Sequence, residues 1–283
     1  MALRSRVLAV VAAVLPLALA AGCSGGTAPG EAAAAQGSPA ASIPAGPASG
    51  PQSLSETGST LLNPVMRNWA AAYQQQHSNV KISTAATGSG KGIAEASAGQ
   101  VDIGASDAYL STQDATWDRV TGYGTTVAWP PVPGARAETH NTGMVAGCEA
   151  TPGCVAYIGI TYLTSAANGG LGYASLRNAL GAYEAPAPKT IGTAVAGFVS
   201  TTPVNETISM VDGPALTGYP IVNYEYAIVS TKQRSAAKAR DIKAFLHWII
   251  TAGNAPQYLD QFRFQRLPAS IVSLSDAQIA KIG

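Results

Sequence analysis

Three polar corners lie within Glu56–Ser111, and each follows a run of residues typical of a β-strand. The corners are Gly58-Ser59-Thr60, Gly88-Ser89-Gly90 and Ala105-Ser106-Asp107, and at least the first two also begin a helix-like run. Helix starts of this kind are typical of anion sites, because their first N–H groups have no intrahelical acceptor. Strand–helix repeats of this length indicate a parallel sheet, whose carboxyl edge would bring the corners together.

Apolar periodicity predicts the elements around these corners. One helix is predicted from Pro64, a favoured residue at a helix start, with a buried face that recurs at helical spacing. That face consists of Leu62, Val65, Met66, Trp69, Ala70 and Tyr73. The same reasoning predicts strands Val80–Ser83, Val101–Ala105, Val155–Ile160 and Ile221–Val229, and helices Ile93–Ala98, Thr190–Val199, Ser235–Ala252 and Ser275–Ile282.

The amino-terminal segment predicts export. Residues 1–22 combine a basic start with an uncharged apolar run, which is typical of a secretion signal and too short for a spanning helix. Cys23 follows Leu-Ala-Ala-Gly, where a bacterial lipoprotein signal would be cut and lipidated; the alternative is ordinary cleavage that leaves a free thiol. Residues 23–55 are rich in Gly, Ala, Pro and Ser and carry one charge, so we expect a disordered tether or a low-complexity artefact.

Charge and cysteine content exclude some functions. The formal net charge is +1 and only 12% of residues are charged, so the chain lacks the basic patch that nucleic-acid binding needs. Cys148 and Cys154 fit a short-loop disulfide in an exported protein. Metal binding by this cysteine pair is the alternative, although no His or other ligand set has zinc spacing.

The motifs resemble those of a known family. Thr60-Leu61, Gly88-Ser89-Gly90 and Gly104-Ala105-Ser106-Asp107-Ala108 resemble the phosphate-binding proteins of ABC-type phosphate uptake systems. Cys148–Gly159 and Tyr219–Val229 are similar to the mycobacterial lipoprotein members of that family. The resemblance covers nearly all of the chain from Glu56 to Gly283.

The resemblance implies a periplasmic-binding-protein type II-like α/β fold of two lobes with parallel or mixed sheets. We expect lobe I to comprise residues 56–111 and 205–283, and lobe II to comprise residues 112–204. The family pattern breaks between Ser111 and Gly147, where an Arg and a Ser-Gly-(Asp/Thr)-Thr loop are missing. We therefore expect an internal deletion and a truncated second lobe. Arg119 and Arg136 lie near the break but outside the expected motif, and they are not assigned as ligands.

The resemblance also implies the site. Thr60, Leu61, Ser89 and Asp107 would bind inorganic phosphate, with Ser59 and Gly90 as further candidates. An ionised Asp107 would accept a hydrogen bond from the proton that phosphate carries, and it would repel sulfate, which has no proton to donate. By residue type alone, Asp107 could equally be a cap or turn carboxylate, Ser89 a turn serine and Thr60 a helix cap.

The predicted function is that of a receptor rather than an enzyme. A lipid-anchored monomer on the extracytoplasmic face of the cell membrane would deliver phosphate to an ABC permease, without a cofactor, metal or nucleic acid. Thr87–Gly92 lacks two residues of a nucleotide P-loop, and Gly104–Ala108 lacks the second glycine of a nucleophile elbow. Two alternatives stay open: binding of another oxyanion such as sulfate, and a surface lipoprotein whose shortened site binds phosphate weakly or not at all.

Overall fold

The computed structural model describes residues 43–110 and 132–283, together with the backbone of Val7–Leu8. Its strands are β1 (Val7–Leu8), β2 (Gln52–Gly58), β3 (Val80–Ala86), β4 (Ile103–Ser106), β5 (Leu176–Arg177), β6 (Tyr183–Glu184) and β7 (Tyr226–Ser230). Its α-helices are α1 (Asn63–Gln76), α2 (Ser89–Ser97), α3 (His140–Glu149), α4 (Leu163–Asn168), α5 (Pro188–Ala196), α6 (Ala236–Ile250), α7 (Pro256–Leu259) and α8 (Ala269–Ile279). Short 3-10 turns cover Ile160–Tyr162, Val199–Thr201, Ala252–Asn254 and Asp260–Phe262.

A mixed sheet positions the three corners. Its strand order is β1-β7-β4-β2-β3, and β2 runs parallel to both β3 and β4. The carboxyl ends of β2, β3 and β4 therefore meet at one edge, as the sequence predicts. β7 is antiparallel to β4, so this strand enters the sheet at the edge where β4 ends. The predicted α/β class with a parallel or mixed sheet is confirmed.

The predicted stripe on the first helix is the core of this unit. Leu62 and the other five stripe residues are all buried. Pro64 lies in the first turn of α1, where its missing N–H removes no helical hydrogen bond. The Trp69 indole donates to the carbonyl of Gly253 at 2.8 Å, which joins α1 to the turn that follows α6.

Several predicted boundaries shift. Helix α2 begins at Ser89, four residues before the apolar stripe starts at Ile93, because its first turn is Gly-rich and packs on backbone rather than through large side chains. Strand β7 begins only at Tyr226, since Ile221 is 60% exposed and forms an isolated bridge. The last helix starts at Ala269, earlier than the predicted Ser275.

The predicted strand Val155–Ile160 is wrong. Val155 is 98% exposed and Tyr157 is 71% exposed, and the segment has no ladder partner within the described residues. Ile160 instead begins a 3-10 turn. A run of apolar residues forms a strand only where a neighbouring strand accepts its hydrogen bonds, and none of the described strands does so here.

The predicted disordered tether, residues 23–55, extends too far towards the carboxyl terminus. Strand β2 begins at Gln52, inside residues 23–55, and Leu54 is 2% exposed. The backbone of Ala48 also donates to Asp241 at 2.7 Å. A compositional signal averages over a window, so it cannot detect that the end of a low-complexity segment pairs with β3.

Other predictions for this segment lie outside the described residues. These include Cys23 and the signal segment, apart from Val7–Leu8, whose backbone pairs antiparallel with β7. The predicted division into two lobes stays a prediction. Among the helices of the described residues, none has the length and apolar character needed to span a bilayer.

Cys148 and Cys154 form a disulfide, as expected. The bond joins the last turn of α3 to the loop that follows it. Cys148 is 8% exposed, so the bond anchors this loop to the buried side of the helix. The metal alternative for the pair is thereby replaced by a structural cross-link.

The Glu56→Gln substitution tests a buried carboxyl group in β2. Glu56 is 3% exposed, both of its carboxyl oxygens lack a partner among the described residues, and burial raises its pKa to about 8 from an ordinary 4.5. The folded state therefore keeps a proton that the unfolded state releases. The contribution of Glu56 protonation to the free energy of unfolding is complete below pH 4.5, and this contribution is lost as the pH rises towards 8.

We expect urea unfolding of the wild type to show falling stability from pH 5 to pH 8. Glu56→Gln should make that slope shallower by up to about 1.4 kcal/mol per pH unit. Glu149→Gln, at an exposed position, is the matched control and should leave the slope unchanged. An unchanged slope in Glu56→Gln would show that Glu56 is ionised in the folded protein.

Candidate functional site

The first corner begins where β2 ends. The Ser59 N–H donates to the carbonyl of Ala105 at 2.9 Å, which continues the β2–β4 pairing by one residue. The Leu62 N–H donates to the Ser59 hydroxyl at 2.9 Å, so Ser59 caps the turn that leads into α1. Ser59 is fully buried and Thr60 is 7% exposed.

The second corner is tied directly to the first. The N–H groups of Thr87 and Gly88 both donate to the carbonyl of Gly58, at 3.0 and 2.7 Å. Gly88 has φ +91°, a left-handed conformation that favours glycine, and it precedes Ser89, the first residue of α2. The turn from β3 into α2 therefore lies against the end of β2.

The third corner connects to both of the others. The Asp107 N–H donates to the Ser89 hydroxyl at 3.1 Å. The Ser59 hydroxyl donates to Asp107 Oδ1 in a short hydrogen bond. Three segments that are about 20 to 50 residues apart in the sequence are thus joined by side-chain and backbone hydrogen bonds at one sheet edge.

Glycines allow this convergence. A Cβ placed on Gly92 would lie 2.6 Å from the Ala105 carbonyl oxygen and 2.7 Å from the Cα of Gly58. Helix α2 therefore contacts the backbones of β2 and β4 without a side-chain layer between them. This approach sets the position of Ser89, one helical turn before Gly92.

Hydrogen-bond donors at the corners point to an anion. Within residues 43–110 and 132–283, the backbone N–H groups of Thr60, Leu61, Ser89 and Gly90 have no acceptor in the protein. The hydroxyls of Thr60 and Ser89 each accept a bond, from Asn141 at 2.8 Å and from Asp107, so their protons stay available. Such donors at two helix starts can bind an oxyanion.

Helix α3 and the turn after it hold the first corner from the other side. Asn141 donates to the Thr60 hydroxyl and accepts from the Gly159 N–H at 2.6 Å. The Tyr162 hydroxyl donates to the Thr60 carbonyl at 3.0 Å, and Thr161 donates to the Leu61 carbonyl at 3.1 Å. Sequence reasoning missed these contacts, because they join segments about 80 to 100 residues apart.

Glu225 is the other group that sequence reasoning missed. It is 5% exposed, and its Oε2 lies 3.3 Å from the Ser59 hydroxyl. Asn223 donates to Glu225 Oε1 at 2.9 Å and to the Asp107 carbonyl at 2.8 Å. Burial raises the pKa of Glu225 well above its ordinary value, and the nearby Asp107 carboxylate raises this pKa further. The signal in the sequence is a single carboxyl group inside the apolar run Ile221–Val229.

The structure brings the predicted site residues together. Thr60 and Leu61, Ser89 and Gly90, and Asp107 contribute to one edge, while Ser59 lies beneath it with its hydrogen bonds taken up inside the protein. Arg136 donates to Thr151 at 3.1 Å, away from the corners. Arg119 lies outside the described residues.

Comparison with known proteins places this site in a family context. A sequence model described as a PBP superfamily domain matches residues 44–130, which contain all three corners. The phosphate-binding protein PstS of Methanocaldococcus jannaschii is 34% identical over 163 residues, which are 53% of this chain and 41% of that protein. PstS of Xylella fastidiosa strain 9a5c is 24% identical over 171 residues, which are 60% of this chain and 44% of that protein. The chain thus spans less than half of the length of these curated relatives.

The curated relatives are named phosphate-binding proteins, whereas the sequence model is described only as a PBP superfamily domain. Among solved structures, PstS from Borrelia burgdorferi aligns with 77% of this chain and 100% of its own, at 13% identity and a TM-score of 0.41. An ABC-type phosphate transport receptor from Vibrio cholerae aligns with 23% of this chain and 26% of its own, at 30% identity and a TM-score of 0.22. The similarity to phosphate-binding proteins that the motifs predict recurs in these curated relatives, over part of their length. The likeness to mycobacterial members and the internal deletion stay predictions.

The Gly92→Ala substitution tests the close approach of α2. An added methyl group would meet the backbones of β2 and β4, which cannot rotate away, so α2 must move outwards with Ser89. We expect a loss of about 1–3 kcal/mol in the free energy of unfolding, measured by urea denaturation. Gly172→Ala is the matched control, because a methyl group there meets nothing within 4 Å. Equal stability of the two variants would contradict the tight packing of α2.

Proposed function

We propose that the chain binds inorganic phosphate at the three corners. The observation that carries this proposal is the convergence of free N–H groups and hydroxyl protons from two helix starts beside a single carboxylate, that of Asp107. Four amides and two hydroxyls match the acceptor oxygens of a tetrahedral oxyanion. The names of the curated relatives agree with this ligand, although the chain covers only part of their length.

Asp107 selects for a protonated oxyanion. Its carboxylate accepts from Ser59 at Oδ1, and a carboxylate has about four lone-pair sites, so acceptor capacity remains for a ligand proton. Phosphate carries a proton at neutral pH, whereas sulfate does not. Sulfate would therefore face an unpaired negative charge, which favours phosphate in the comparison of the two ions.

We further propose that the protein is a receptor for an ABC-type phosphate importer. In this proposal residues 1–22 are a signal peptide and Cys23 carries the lipid that holds a monomer on the extracytoplasmic face of the cell membrane. Residues 56–111 with 205–283, and residues 112–204, would form the two lobes. The relatives are named phosphate-binding proteins, and the described residues of the site offer hydrogen-bond donors and one acceptor, as a receptor requires.

The expected absence of the Arg and the Ser-Gly-(Asp/Thr)-Thr loop would lower the affinity for phosphate. A shell built only from the three corners would leave one side of the anion in water, where hydrogen bonds to protein largely replace hydrogen bonds to solvent. Isothermal titration with phosphate and with sulfate therefore decides between the proposals. Phosphate binding with little sulfate binding supports the receptor, sulfate binding supports another oxyanion, and a folded chain that binds neither supports a surface lipoprotein.

The Asp107→Asn substitution tests the role of the carboxylate. Asn removes the negative charge and keeps the shape, so phosphate loses its acceptor while the repulsion of sulfate disappears. Hydrogen bonds to charged groups contribute about 1.5–3 kcal/mol, so the preference for phosphate over sulfate should fall roughly tenfold or more. Isothermal titration with each ion measures this ratio.

Asp212→Asn is the matched control for this charge change. Asp212 is exposed, and its φ of +57° is a conformation that Asn also tolerates. The control should keep the wild-type ratio, and Ser89→Ala should weaken phosphate binding with a smaller effect on the ratio. An unchanged ratio in Asp107→Asn would refute the selective role of this carboxylate.

A further inference from the structure

Glu225 is a buried carboxyl group that lies directly behind the proposed ligand site. It precedes β7 and contacts the site only through Ser59, Asn223 and Asp107. None of the sequence motifs assigns it a role. Its position places two carboxyl groups beside a site for an anion, and two ionised carboxylates there would repel the ligand.

The donor and acceptor capacity of the Ser59 hydroxyl shows which of the two carboxyl groups carries a proton. A hydroxyl has one proton and two lone pairs, and the proton of Ser59 is donated to Asp107. One lone pair accepts from the Leu62 N–H at 2.9 Å. The remaining contact, 3.3 Å from Glu225 Oε2, is a hydrogen bond only if its proton comes from Glu225. The other oxygen of Glu225 then accepts from Asn223 as a carbonyl oxygen, at 2.9 Å.

We propose that Glu225 is a neutral carboxylic acid that positions Asp107 through Ser59, so that the site carries one negative charge instead of two. This inference rests on the proposed phosphate site and makes anion binding at that site dependent on pH. When Glu225 loses its proton at alkaline pH, a second negative charge lies behind Asp107, and the site releases its anion.

The surroundings of Glu225 agree with this protonation. Asp107 is the charged group that faces it from the end of β4, and two like charges in a buried site cannot both ionise freely. The phenol of Tyr226, the first residue of β7, lies within electrostatic range and is itself held neutral, because burial raises its pKa. Ser59 and Asn223 are neutral hydrogen-bonding partners. Among the described residues, no lysine or arginine forms an ion pair with Glu225.

Glu225→Gln tests the proposal through the pH profile of binding. Gln is a neutral isostere that donates to Ser59 and accepts from Asn223, so phosphate binding at pH 7 should stay within about threefold of the wild type, a difference below that of one lost hydrogen bond. Between pH 7 and pH 9, phosphate affinity should fall at least about tenfold more in the wild type than in Glu225→Gln. The protonation of phosphate itself is common to both proteins and cancels in this comparison.

Glu225→Leu separates positioning from simple packing. Leu fills the space but removes one hydrogen bond from Ser59 and one from Asn223, so the preference for phosphate over sulfate should fall, and Gln should restore it. A Leu variant that keeps the wild-type preference would overturn the positioning role. Glu206→Gln is the control for pH effects, because Glu206 is also buried with a raised pKa but contacts Ser275 and Tyr226 rather than the site.

Infrared difference spectroscopy at pH 7 gives a readout that does not depend on phosphate. The wild-type minus Glu225→Gln spectrum should show the C=O band of a protonated carboxyl group, and this band should vanish at alkaline pH. An ionised carboxylate band in its place would overturn the proposal. If the wild type binds no phosphate, the proposed function fails, and the carboxyl band alone still decides the protonation of Glu225.

Discussion

The direct contact of helix α2 with the backbones of β2 and β4 is the constraint on which the rest of the site depends. Gly92 lies against Gly58 and Ala105, and a methyl group there would overlap both strands. Close contact brings the Ser89 hydroxyl within 3.1 Å of the Asp107 N–H. A layer of side chains between helix and strands would separate the corners by several ångströms, and their donors would no longer share a ligand.

The convergence of the corners also brings two carboxyl groups together, and the negative charge of this pair would oppose the binding of an anion. Asp107 and Glu225 share Ser59 as a partner, and only one of them can keep its charge at low electrostatic cost. A carboxylate is useful in this position because a protonated oxyanion can donate to it. A second carboxylate behind Asp107 would gain no bond from the ligand, since its hydrogen-bond partners are Ser59 and Asn223. A neutral Glu225 therefore leaves the proposed site with one negative charge and favours anion binding.

The sequence predicted the first helix and the three corners, because helical spacing and turn residues depend on interactions between neighbouring residues. The stripe Leu62–Tyr73 is buried as its spacing requires, and the three corners follow strands as their small polar residues suggest. The pattern failed where the outcome depends on a distant partner. Val155–Ile160 is apolar like a buried strand but has no strand partner among the described residues, and Gln52–Ser55 looks disordered but pairs with β3. Glu225 was missed for the same reason, since its role is defined by Ser59, which lies 166 residues earlier.

The contacts of the first corner show how a later part of the chain can act on the ligand site. A hydrogen bond accepted by the Thr60 oxygen limits the rotation of the hydroxyl and leaves its proton free to be donated. Asn141 supplies that bond, and Asn141 is fixed in turn by the Gly159 N–H. Tyr162 and Thr161 donate to the carbonyls of the same turn, while the Thr60 and Leu61 amides have no acceptor among the described residues. Residues 140–162 thus contact the first corner of the proposed site, so the geometry of the three corners also depends on a segment outside residues 58–107.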